Sequence, residues 1–252
     1  MTFGLPLEPI ACILLGALRA GMVLMLLPVA GGESVPGIVR VLLSLLLGGL
    51  LVGMPTGSMP ATTTGLVLAA GRELVIGLSM GYLCRVLLAA PALAGDLIAE
   101  ELGLRMAEDV DPMTRIPSTP PARVYETALM LVFLAANGHH DVIRALHASF
   151  ASFPVGGHEL PAGLATLADS IRTLLRFAVM IAAPLLAVLM VGSLSLALLS
   201  KAVPELHVMT FGYPLRLLAA LAAGVVLFPF ALSPGLRLIA ALRTGLLRLV
   251  EA

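Results

Sequence analysis

Residues able to do chemistry fall in three places in the sequence. Positions 77–81 read G-L-S-M-G, the spacing of a nucleophile elbow, where a serine raised on a sharp strand-to-helix turn attacks an acyl carbon. An elbow needs a strand before it, whereas Ser79 lies midway along an apolar run of helical character. Read as a small-residue pair one helical turn apart, Gly77 and Gly81 let another helix approach closely, and Ser79 is then no nucleophile. An intramembrane hydrolase using Ser79 is the rival that this reading sets aside. Positions 137–147, N-G-H-H-D-V-I-R-A-L-H, offer His139, His140, Asp141 and His147 to a metal or a proton relay. Adjacent histidines on a helix diverge by about 100°, while His140, Arg144 and His147 share one stripe. An arginine in that stripe repels a cation, and the H-E-x-x-H spacing of zinc enzymes is missing. The plain alternative is Asn137-Gly138 closing one helix before a polar helix start. Cys12 and Cys84, each inside an apolar run, have neither metal-site spacing nor the density of a disulfide scaffold. They read as small buried hydrophobes.

The third place is the stretch A-G-D-L-I-A-E-E-L-G-L-R-M-A-E-D-V-D-P-M-T-R-I-P-S-T-P-P, residues 94–121, which holds Asp96, Glu100, Glu101, Glu108, Asp109 and Asp111. The acids of E-D-V-D could meet a divalent cation, but the glycine and distal glutamate of a calcium loop are missing. Across 89–106, Leu93, Leu97 and Leu104 with Ala90 and Ala94 recur at helical spacing, and Asp96 and Glu100 sit one turn apart on a shared face. Glu101 and Arg105 form an i,i+4 pair in the favourable order. The helix is therefore amphipathic, with a face that expects water or polar protein. Pro112, Pro117, Pro120 and Pro121 forbid regular helix across the loop that follows. Irregular backbone at membrane depth survives only where it is buried in protein or lines a wet cavity. The alternative is an extramembrane loop with solvated acids.

The elements that must position these residues are hydrophobic. Of 252 residues, 59% are hydrophobic and 12% charged, with a mean hydropathy of +1.05, beyond the range of soluble domains. This composition predicts an all-α polytopic integral membrane protein. Fifteen basic and fifteen acidic residues cancel, so nothing points to nucleic acid. A bilayer crossing needs roughly 20 apolar residues. Residues 10–28, 38–54, 65–93, 127–137, 177–199 and the pair 215–232 and 236–250 give about six hydrophobic segments. Several are short, charged or broken. The segment 177–199 is expected to bend near Pro184, and the last pair, separated by S-P-G, to form a hairpin or one broken helix. An arginine at the bilayer centre costs about 2.5–3.5 kcal/mol, so Arg19, Arg72, Glu73 and Arg85 are expected against other protein, paired, or away from membrane depth. Arg237, Arg243 and Arg248 bias the C-terminus toward the cytoplasm. The first residues carry no basic region before their apolar run, which reads as a retained segment and no cleaved signal. No P-loop is present in the sequence, and no cofactor is expected.

Four stretches carry a resemblance: S-V-P-G-I-V-R-V-L-L-S-L-L-L at 34–47, residues 71–112, residues 129–156 and residues 176–218. Within them stand G-L-x-x-A-x-x-x-D-P, from Gly103 to Pro112, and L-x-x-N-G-H, from Leu134 to His139. In this combination and order the chain resembles the FliR/SctT family, inner-membrane proteins of flagellar and injectisome type III export. The resemblance implies one export-gate domain over 1–252, packed into a helically wound, cone-shaped assembly. Its implied partners are P/R-type and Q/S-type export subunits and the autocleaving switch subunit, and unfolded protein passes through the central channel. It further implies that many helices stand off the bilayer against neighbouring subunits and that the loop of about 105–122 projects into the channel as a plug. Met106, Val110 and Met113 would then be apolar closure residues, Glu108, Asp109, Asp111 and Arg115 the polar face, and Pro112 a stiffener. Asp96 and Glu100 would lie on a pore-side helix. A secondary transporter with broken helices around a small solute is the alternative.

Overall fold

A computed structural model of the chain describes residues 7–28, 35–52, 62–104, 119–157, 164–202 and 208–251. Among them are eight helices and no strand. They are α1 (Leu7–Leu26), α2 (Gly37–Leu51), α3 (Thr63–Leu88), α4 (Ala90–Glu101), α5 (Pro120–Ala135), α6 (Gly138–Ser152), α7 (Leu164–Ala202) and α8 (Val208–Glu251). Four helical stretches, at residues 8–26, 63–101, 165–202 and 214–251, are long and apolar enough to cross a membrane. The chain is an all-α, multi-pass membrane protein.

Residues 215–232 and 236–250 form neither a hairpin nor two pieces. They belong to one continuous helix through Pro214, Pro229 and Pro234. Proline at 234 cannot donate to the carbonyl four residues back, but the Ser233 hydroxyl donates to that carbonyl, Phe230 O, at 2.8 Å. A side-chain hydroxyl thus takes over the acceptor that proline deserts, as membrane helices permit. Gly235 serves packing, since a Cβ there would lie 2.6 Å from the Leu129 side chain of α5. Pro184 likewise sits within unbroken α7. The start of α5 is earlier than its apolar run, because Thr119 caps it, accepting from the Ala122 amide, with prolines in the first turn. Residue 137 joins α5 to α6 with φ 58, a left-handed conformation that asparagine tolerates.

Contacts divide the chain into two compact units. One comprises Met1–Leu87, Asn137–Arg172 and Ile239–Ala252, the other Leu88–Ala136 and Thr173–Leu238. In the first, α1 and α2 pack antiparallel through small residues: Gly16 meets Gly48 and Val52, and Gly21 meets Ser44. A Cβ at Gly48 would fall 2.5 Å from the Ala17 nitrogen. In lipid the hydrophobic effect cannot hold two helices together, so close van der Waals contact must. α2 accordingly buries only Ser44 and Gly48. The second unit has a core of Ala94 and Ile98 from α4 and Leu102 just after it, Tyr125 from α5, Ile181, Ala182, Leu185 and Leu189 from α7, and Ala220 and Ala231 from α8. The Tyr125 ring lies 5.6 Å from Phe228.

Candidate functional site

The charges that the hydrophobic segments could least accommodate gather in the first unit. Arg19 on α1 and Glu73 on α3 are both 0% exposed and 2.6 Å apart. Arginine at a dry site must place every donor, and Arg19 places all five. Its Nε and one Nη2 hydrogen go to Glu73 Oε2, its Nη1 to the carbonyl and hydroxyl of Ser149, and its remaining Nη2 hydrogen to Phe153 O at 2.8 Å. The guanidinium also stacks 4.3 Å from the Phe150 ring centre. Arg72 donates to Pro154 O at 2.9 Å and to Glu73 Oε1 at 3.3 Å. Two guanidiniums and one carboxylate leave one net positive charge. It is met by backbone carbonyls at the C-terminal end of α6, the negative pole of that helix. Arg85 is exposed.

Gly77 and Gly81 bring α3 against α1 beside this cluster. A Cβ at Gly77 would meet Arg19 O at 2.5 Å, and one at Gly81 the Leu26 side chain at 2.9 Å. Ser79, between them, donates to Ile76 O at 2.9 Å within the same helix, so no strand or sharp turn presents it. On α6, His140, Arg144 and His147 are exposed. Arg144 lies 3.4 Å from Asp141, and the rings of His139 and His140 are 4.3 Å apart. Among the described residues no three His, Cys, Asp or Glu side chains could hold a metal ion together. Cys12 and Cys84 are buried and free.

The second unit holds the two flanks of the acidic loop. Met106, Glu108, Asp109, Val110, Asp111, Pro112, Met113 and Arg115 lie outside the described residues, as does Arg105. The flank before them ends in a tight cap. Gly103 has φ 71, its amide donates to Glu100 O, and the Leu104 amide donates back to Ala99 O at 3.0 Å. This is a Schellman closure, which needs glycine at the left-handed position and an apolar residue after it. Leu104 packs on the core of this unit. The G-L pair of the G-L-x-x-A element therefore has a mechanical reason.

The flank after the loop is Thr119, which donates to Asp96 Oδ1 at 2.9 Å. Next to it, a Cβ at Gly95 would fall within 2.6 Å of the backbone of Pro121, so α4 and α5 touch along their backbones. The buried face of α4 is Ala90, Pro91, Ala94, Gly95, Ile98 and Ala99. Of the apolar residues that periodicity put on one face, Ala90 and Ala94 are buried and Leu104 packs on the core, whereas Leu97 is 36% exposed. Small residues win the inside position where two backbones must approach. Asp96 is half-buried on Thr119, while Glu100 is exposed. Glu101 Oε1 accepts from Arg216 Nη2 of α8 and from Ser193 Oγ of α7.

Sequence reasoning missed Arg216, Ser193 and Thr119. Arg216 had a signal, as the single charge in a long apolar stretch, where a buried acid partner is required. Thr119 before Pro-Pro had another, a helix start. The Ser149, Phe153 and Pro154 carbonyls had none, because every residue has a carbonyl.

These features define a class: a polytopic helical membrane protein that pairs Arg19 with Glu73 inside its own helices and whose acidic stretch is flanked by capped helix ends. The sequence profile of the bacterial export proteins, family 1, matches residues 10–242. The chain belongs to this family, the FliR/SctT family. It is similar to flagellar biosynthetic protein FliR of Escherichia coli K12, 28% identical over 204 residues, covering 80% of this chain and 78% of that protein. FliR of Bacillus subtilis 168 is 29% identical over 157 residues, 60% of each chain. Yop proteins translocation protein T of Yersinia pestis is 26% identical over 155 residues, 60% of this chain and 59% of its own.

Proposed function

We infer that the chain is a membrane subunit of a type III protein-export apparatus. The observation that carries this is the family match over residues 10–242, joined to relatives named for flagellar biosynthesis and for protein translocation. The small-solute transporter reading gains no support from these relatives. The whole chain acts as one export-gate domain, assembled with P/R-type and Q/S-type subunits and the autocleaving switch subunit around a conduit for unfolded protein. It has no catalytic residue and no cofactor, and its C-terminus is cytoplasmic, as the arginines at 237, 243 and 248 favour.

Within that assembly the loop of about 105–122 is the plug. What supports it is the construction of its flanks, the glycine-capped end of α4 and the threonine-capped start of α5, tied to one another through Asp96. A channel that passes any sequence needs a closure without a fixed shape. Met106 and Met113, with Val110, supply flexible apolar surface, Glu108, Asp109, Asp111 and Arg115 keep an open path hydrated, and Pro112 limits the loop's freedom. Deleting residues 106–113 should leave the assembled complex intact and make the membrane leaky to small ions. A complex of full yield with unchanged ion permeability would refute the plug.

A further inference from the structure

The carboxylate of Glu101 is the last charge on α4 before the loop, and it gathers three helices of its unit. Arg216 of α8 and Ser193 of α7 both donate to its Oε1, the serine at 3.1 Å. The Ser193 hydroxyl also lies 2.8 Å from Leu189 O, and with a single hydrogen it serves one acceptor at a time. The Glu101 and Arg216 side chains are 30% and 26% exposed. Arg216 is otherwise poorly provided for. Its Nε is shielded from solvent and has no hydrogen-bond partner, and it borders an apolar cavity of about 310 Å³ lined by Val188, Gly192, Leu196, Leu215 and Ala219. Removing Glu101 would leave a guanidinium facing hydrocarbon. The contrast with Arg19 is informative, because that side chain is fully enclosed with every donor placed. One arginine is cemented into its unit, and the other is held by a contact left partly exposed.

We propose that Glu101 is a positioning residue for the gating loop: with Arg216 and Ser193 it clasps the last turn of α4, and so the root of the plug, to α7 and α8. This rests on the plug reading above. The clasp is separable from the fold, because α4 has other attachments that do not depend on it. Gly95 lies backbone to backbone against α5, and Asp96 accepts from Thr119. The apolar side chains Ala94, Ile98 and Leu102 remain in the core. Losing the Glu101 charge therefore loosens the final turn and leaves the helix in place.

The test is the ion permeability of the assembled complex in Glu101→Gln, Arg216→Gln, the double variant and the reversed pair Glu101→Arg/Arg216→Glu. Each single variant should assemble normally and leak about fivefold more than the parent, the scale of one half-exposed ion pair. The double variant should leak no more than either single one, since both remove the same bond, and the reversed pair should restore the seal. A merely structural role would lower the yield of complex and leave the reversed pair no better than the singles. An unchanged seal in the assembled single variants, or leaks that add in the double, would overturn the clasp. If Glu101→Gln fails to assemble, Ser193→Ala decides: a measurable leak with full assembly supports the clasp and a tight seal overturns it. Deletion of 106–113 is measured in parallel. A leaky deletion with a tight Glu101→Gln leaves the plug standing without its clasp, whereas a tight deletion refutes the plug and the clasp together.

Discussion

Arg19 illustrates how a charge is carried in a membrane protein. A guanidinium with 0% exposure is tolerable because five donors meet five acceptor contacts and an aromatic face covers it. Such an arrangement is brittle. Taking away one partner of a buried pair costs about 3–5 kcal/mol, because the other charge stays behind without compensation. Glu73→Ala is therefore expected to lower the melting temperature of the purified complex sharply, or to abolish its accumulation. Arg19→Met combined with Glu73→Leu, which removes both charges at similar volume, is expected to recover much of that loss. A double variant as unstable as Glu73→Ala would show that the carbonyl contacts to Ser149 and Phe153, and not the ion pair, hold this site. The need of Arg19 and Glu73 for partners was legible in the sequence, since each interrupts an apolar run. That they would choose each other, 54 positions apart, was not.

Among the elements, continuity and closeness are set by small residues and hydroxyls. Helix α8 continues through Pro234 because Ser233 satisfies the abandoned carbonyl of Phe230, so a proline-glycine pair that signals a turn in water does not make one here. Glycines differ by what faces them. A Cβ at Gly77 would collide with the Arg19 carbonyl at 2.5 Å, whereas one at Gly71, on the same helix, would meet nothing within 4 Å. Gly77→Ala must push α1 aside and disturb the Arg19 cluster, at a cost of about 1–3 kcal/mol. Gly71→Ala should be neutral or slightly stabilising, because alanine favours helix. Thermal unfolding of the two variants side by side checks this, and equal stabilities would count against the close α1–α3 contact.

The whole molecule offers far more apolar surface than it uses. Helices α7 and α8, of 39 and 44 residues, rise ~58 and ~66 Å, about twice the ~30 Å hydrocarbon layer. Val191, Leu194 and Leu198 on α7, and Leu218, Leu221 and Val225 on α8, are more than 60% exposed. Lipid alone is too thin to cover helices of that length, so partner subunits are expected to complete the cover. A green fluorescent protein fused to the C-terminus, bright only when it folds in the cytoplasm, tests this together with orientation. The fusion should be dim when the chain is produced alone, through turnover, and bright when the P/R-type and Q/S-type subunits are produced with it. Equal brightness without those subunits would contradict the dependence on partners, and darkness at equal protein amount would contradict a cytoplasmic C-terminus.

By itself the sequence determined the membrane class, the helical content and the packing use of Gly77 and Gly81, but it carried α4 on to residue 106, past the Gly103 cap that ends it. Each of those three follows from composition or from spacings shorter than about two helical turns, where covalent geometry decides which residues are neighbours. Tertiary structure alone decided the partners: Glu73 for Arg19, the end of α6 for both buried arginines, and Arg216, 115 positions away, for Glu101. It also decided that Gly95 of α4 lies inside and Leu97 outside. An arginine in hydrocarbon must find an acceptor, and its residue type says only that much. Which acceptor it finds depends on how the helices cross, and the crossing is set by contacts such as Gly95 on Ala122, whose two halves are unremarkable until they meet.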